Sequence, residues 1–149
     1  MQLEPIGIVK SPVQEQIDEG WGTVVAEIWI KDELIAGLDG LENFSHAVII
    51  FLMHNSSFDI LRDLKRPPRG RADMPEIGIF AQRAKHRPNP IGVTSVQVLG
   101  VKGAVLRVQG LDAIDGTPVL DIKPYIPAFD HVGKASVPAW VEQIMAGYF

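Results

Sequence analysis

Residues 93–109, VTSVQVLGVKGAVLRVQ, decide the fold class. Val93–Leu99 and Ala104–Gln109 are two short runs rich in β-branched residues, separated by Gly100-Val101-Lys102-Gly103. Branched side chains suit a pleated surface and glycine supplies positive φ, so the stretch predicts a hairpin. Similar runs recur on either side. TVVAEIWI (23–30) places Val25 and Trp29 on one face at period two. SHAVIIFLMH (45–54) is a near-continuous apolar run and predicts a strand buried on both faces. Ile6–Lys10 and Val119–Ile122 predict a first and a last strand.

Helix is scarce. Lys31–Leu38 has room for two turns, and Pro138 predicts the opening of a C-terminal helix that Gly147 ends. Asn55–Glu76 contains Pro67, Pro68, Gly70 and Pro75 with little periodicity, and predicts a long, basic, exposed loop. Many short strands punctuated by Gly and Pro predict a mostly β protein: one small antiparallel β-barrel with few short helices, spanning residues 1–149.

Composition narrows the function. Hydrophobic residues at 46% and charged residues at 21% are ordinary globular usage, which argues against disorder. The absence of Cys excludes disulfides, thiolate metal sites and a Cys nucleophile. The longest apolar stretch, Ala47–Met53, is far short of the roughly 20 residues of a membrane-spanning helix. The N-terminal residues lack the pattern of a signal peptide, so the expectation is a cytoplasmic protein without membrane attachment.

Net charge is −4, yet its distribution is uneven. Arg62–Arg87 carries eight Lys or Arg against three acids, inside an otherwise acidic chain. Such a segment can be a phosphate-binding surface or a solvated loop, and charge alone leaves both open.

Catalytic motifs of the common kinds are missing. His46 and His54 would share a strand face but lie roughly 26 Å apart, too far to share a metal. His86 and His131 have no acidic or His neighbour at ligand spacing, so no metal site is expected. Two segments are unusual. In FAQRAKHRPNPIGVT (80–94), Pro88 and Pro90 fix φ on both sides of Asn89 and predict a rigid turn that Gly92 releases into a strand. In LDAIDGTPVLDIKPY (111–125), Asp115-Gly116 signals a tight turn. Asp112, Asp115 and Asp121 either cap turns there or converge on a cationic or diol ligand.

These two segments, with GLENFSHAVIIFLMHN (40–55) upstream, resemble the S-adenosylmethionine-dependent methyltransferases that act on N6-threonylcarbamoyladenosine beside the anticodon of tRNA. The resemblance spans roughly Ile6–Pro127, and RPNPIG and DGTPVLDIKPY are long, specific strings. It implies a small β-barrel, S-adenosylmethionine as cofactor, and a homodimer with the cofactor near the subunit interface. His54 and Asn55 stand where the family often has His-Gln, and Arg83 and Arg87 match its arginines. Ala113, Ile114, Asp115 and Gly116 match its cofactor-contacting turn. The family's usual ATRSP-type sequence is replaced here by Ala81-Gln82-Arg83-Ala84-Lys85. Gln16 is the remaining N-terminal candidate.

An N6 nitrogen conjugated to a purine and a carbonyl is a poor nucleophile, so a base near its proton would help; Asp115 and Asp121 are the catalytic candidates. Arg62, Lys65, Arg66, Arg69 and Arg71 could meet tRNA phosphates. The alternatives are a non-catalytic S-adenosylmethionine-binding module and an RNA-binding barrel without cofactor.

Overall fold

The computed structural model describes residues 1–149. Eight strands run β1 (Gly7–Lys10), β2 (Val25–Ile30), β3 (His46–Leu52), β4 (Lys65–Arg66), β5 (Ile77–Gly78), β6 (Ile91–Lys102), β7 (Val105–Gln109) and β8 (Pro118–Pro124). Three short helices, α1 (Ile60–Asp63), α2 (Pro127–Asp130) and α3 (Ala139–Met145), accompany them. Six strands close a barrel in the order β1-β2-β7-β6-β3-β8, and β8 pairs back onto β1. All neighbours are antiparallel, so closure leaves no free edge. The expected small antiparallel barrel is the observed fold.

Alternation along the strands sets the core. On β6, Gly92, Thr94 and Val96 point inward and are buried, while Val93, Ser95 and Gln97 face out. Val9, Ile28, Ile49, Val96, Leu106, Val108 and Val119 fill the interior with Phe51. β3 follows the same rule: Ala47, Ile49 and Phe51 are buried, and the residues between them are only partly or not covered. It is therefore a one-sided strand, and its outward face is apolar without being interior. The β6–β7 hairpin also differs in detail from the sequence pattern. Gly100 lies within β6, just past a bulge at Leu99, and the turn is made at Gly103, whose φ is +57°.

Strand direction alternates around the barrel, so the β1–β2, β3–β6 and β7–β8 connections all emerge at one mouth. The β3–β6 connection is not the open loop its prolines and charges predict. It holds α1 and the small β4–β5 sheet, folded around the fully buried Asp63, with Pro68 and Met74 also buried. Asp59 caps α1 through the backbone N–H groups of Leu61 and Arg62. Asp63 itself accepts from the Asp59 N–H at 2.9 Å. Residues 32–38 form a 3₁₀ helix, tighter than the two α-turns expected. α3 begins directly after Pro138, and Gly147 at φ +72° turns the chain out of it.

Candidate active site

Four segments meet at that mouth around a cleft of about 160 Å³. Gln14–Gln16 come from the β1–β2 connection, and Phe51, Met53, His54 and Asn55 from the end of β3. Lys85 comes from the turn before β6, and Asp112, Ala113, Ile114 and Thr117 from the β7–β8 connection. The three sequence blocks singled out above thus converge in space. Of the residues expected to touch a cofactor, His54, Asn55, Ala113 and Ile114 line the cleft, and so does Gln16.

Gly92 shapes one wall. It pairs with Phe51 across β3 and β6, and a Cβ at position 92 would collide with the Phe51 ring. The last residue of RPNPIG is therefore glycine because the backbone passes against an aromatic ring that lines the cleft.

The RPNPIG turn is braced by its own cations. Arg87 Nη1 donates to the Gln82 carbonyl at 3.0 Å, and Arg83 Nη2 donates to the Val93 carbonyl at 2.6 Å. Neither guanidinium is among the groups lining the cleft, whereas Lys85 between them is. His86 Nδ1 lies 2.8 Å from the Ser57 carbonyl and ties this turn to the segment after His54. Gln82, absent from the sequence-based set, is buried and donates to the carbonyls of Arg66 (2.7 Å) and Ile77 (3.0 Å), bridging β4 and β5. Its position in place of the family's threonine was the one signal for it.

The three aspartates of 111–125 have separate surroundings. Asp115 Oδ1 accepts from the Ser11 N–H at 3.0 Å, and the carboxylate lies in a second, shallower depression with Lys10, Glu27 and Arg107. Gly116 at φ +80° completes the turn by donating to the Val9 carbonyl. Asp121 sits on β8, half exposed and 2.7 Å from Lys123 Nζ, away from the cleft lining. The structure does not bring the two expected bases together. Asp112 alone lines the cleft. It accepts hydrogen bonds from the Thr94 hydroxyl and, at 2.6 Å, from the Tyr148 hydroxyl. Burial, then the Asp112 charge beside it, push the Tyr148 phenol well above its usual range, so it stays a neutral donor.

The basic segment is largely self-paired. Arg62 grips Asp63 with both Nε (2.9 Å) and Nη2 (2.6 Å), and Arg66 lies 3.8 Å from the same carboxylate. The Arg62 bond is the main cause holding the Asp63 carboxyl far below the usual carboxylate range. Arg71 binds Asp73 in the same forked way, and Arg69 is 3.9 Å from Asp18. Of the five residues expected to meet phosphates, only Lys65 has no acidic partner.

Comparison with known proteins adds independent findings. Residues 9–131 match the tRNA-methyltransferase O N-terminal domain. The chain is 43% identical over 138 residues to an S-adenosyl-L-methionine-binding protein of Archaeoglobus fulgidus, covering 90% of this chain and 96% of that one. A tRNA (adenine(37)-N6)-methyltransferase of Escherichia coli K12 is 38% identical over 91% of this chain and 62% of its own length. A second Archaeoglobus relative, a probable S-adenosyl-L-methionine-binding protein, is matched over only 38% of its length. The crystal structure of TrmO from Pseudomonas aeruginosa superposes with a TM-score of 0.75 at 32% identity, over 94% of this chain and 61% of that one.

Proposed function

Because the chain belongs to the family of the tRNA-methyltransferase O N-terminal domain, we propose that it transfers a methyl group from S-adenosylmethionine to N6 of threonylcarbamoyladenosine beside the tRNA anticodon. The observation that carries the reading is the cleft where Phe51–Asn55, Lys85 and Asp112–Ile114 converge. Its lining suits such a cofactor: an aromatic ring, backbone at Ala113–Ile114, and carboxylates at Glu15 and Asp112 that favour a cation. When bound, S-adenosylmethionine supplies an electrophilic methyl on a positively charged sulfur.

The protein's part is mostly positioning, since in-line displacement demands alignment above all. The RPNPIG turn, braced by Arg83 and Arg87, sets Lys85 and the rim near His54. The N6 proton passes to a base at the mouth. Of the two candidates, Asp115 opens into the neighbouring depression and accepts from the Ser11 N–H, while Asp121 is engaged with Lys123, so a base role for either requires the substrate to extend beyond the cleft lining. Lys65, with the outer edges of Arg62, Arg69 and Arg71, meets tRNA phosphates, while Arg66 also holds Asp63.

A homodimer fits the size of the cleft. Ligand pockets for molecules of this kind run roughly 300–1,000 Å³, and this cleft within one protomer holds about 160 Å³. A second copy over the mouth would supply the missing wall.

One observation favours a second reading, a binding module without turnover: a relative of nearly the same length is named only as an S-adenosyl-L-methionine-binding protein. Incubation with methyl-labelled S-adenosylmethionine and tRNA, with and without the threonylcarbamoyl group, separates them. Label in the modified tRNA alone supports the proposal. Cofactor binding with no labelled tRNA of either kind supports the binding module.

A further inference from the structure

We propose that the Asp112 carboxylate forms the anionic wall receiving the cofactor's sulfonium, and that Thr94 and Tyr148 are positioning residues that hold it there. The inference rests on the cofactor reading above and goes beyond it by assigning these three side chains.

Asp112 is the one aspartate of 111–125 that lines the cleft and has no cationic side chain within ion-pair distance. Its two oxygens are met by hydroxyls, from Thr94 on β6 and from Tyr148. A carboxylate offers about four acceptor positions, so two remain free. Hydroxyl donors orient the group without neutralising it, which leaves a fixed negative charge facing the cleft. Pre-oriented charge of this kind is what a cationic centre would meet at least reorganisation. Glu15, the other acid of the lining, makes no side-chain hydrogen bond or ion pair, while Lys85 and His54 complete the titratable groups around the cleft.

Tyr148 reaches the mouth because the chain after α3 returns to it. The N–H groups of Gly20 and Trp21 donate to the carbonyls of Gly147 and Tyr148, each at 2.8 Å. Gly22 lies so close beneath Phe149 that a Cβ there would be 2.5 Å from its backbone. The Phe149 ring packs edge-on to Tyr148, and the Arg69 guanidinium lies 5.9 Å from the Tyr148 ring centre. Residues 147–149 thereby aim one hydroxyl at the cleft-lining carboxylate.

The test compares a cation with its neutral counterpart. Calorimetric affinities for S-adenosylmethionine and S-adenosylhomocysteine are measured with wild type, Asp112→Asn, Tyr148→Phe, Thr94→Val and Thr94→Ser. Asp112→Asn is expected to weaken the sulfonium on the order of tenfold while leaving the thioether within about twofold. Tyr148→Phe and Thr94→Val should shift the same ratio by about threefold, and Thr94→Ser, which keeps the hydroxyl, should not. Equal weakening of both ligands, or of neither, overturns the assignment. If Asp112→Asn does not fold, Tyr148→Phe and Thr94→Val decide by the same ratio. A wild-type chain that binds neither ligand refutes the cofactor reading itself, and this inference with it.

Discussion

The Phe51 ring occupies the space that a side chain at position 92 would need, so Gly92 on β6 and Phe51 on β3 are one packing unit at the wall of the cleft. Gly92→Ala forces the ring off its position. Overpacking of this kind costs about 1–3 kcal/mol. Chemical denaturation should show that loss, and calorimetry should show weaker cofactor binding in the molecules still folded. Unchanged stability would mean that the ring moves freely and does not shape the wall.

Asp63 organises the β3–β6 connection from within. Its carboxyl is held low, chiefly by Arg62, whereas an unfolded aspartate titrates near 3.9. A lowered folded value contributes stability that is present above about pH 4 and is lost as pH falls below it. The hydrogen-exchange protection factors of residues 59–66, corrected for the intrinsic pH dependence of amide exchange, should therefore fall in acid before those of the barrel strands. Asp63→Asn should remove that acid sensitivity and leave exchange in the segment fast at neutral pH. Slow exchange in the variant would contradict this role.

Phosphate contacts should follow the pairing of the basic residues. Lys65→Ala removes an unpaired cation and should lower the salt dependence of tRNA binding by up to roughly one unit of slope. Asp73→Asn frees the forked Arg71 and should strengthen binding at low salt. Cofactor affinity should be unaltered in both. Filter binding across a salt series checks each, and identical slopes in all three proteins would leave the segment a solvated surface.

Sedimentation at micromolar concentration should give twice the mass of one chain. A single-chain mass that persists with cofactor present would remove the second copy from the account of the cleft.

The barrel was legible because period-two alternation survives in β2, β6 and β7, where each inward residue is apolar or small. Residues 45–54 misled because outward positions of β3 are apolar too, and periodicity cannot separate a half-covered face from an interior one. Gly100 looked like a turn residue, but its place past the Leu99 bulge puts the turn at Gly103. The fold of 55–76 was hidden for a different reason. One acid among many bases reads as a charge to be subtracted, yet Asp63 is the buried centre around which Arg62 and Arg66 gather. Within the cleft, the RPNPIG and Asp112–Gly116 strings were visible as strings. The bond between Tyr148 and Asp112 joins residues 36 apart through the docking of 147–149 on Gly20 and Trp21, which no local pattern encodes.

Hydrogen exchange of the wild-type chain with and without S-adenosylmethionine tests most directly whether the cleft at the shared mouth is the cofactor site. Protection is expected at residues 14–16, 53–55, 85 and 112–114, the four segments that line the cleft. Protection centred instead on the depression formed by Lys10, Ser11 and Arg107, or none at saturating cofactor, would contradict it.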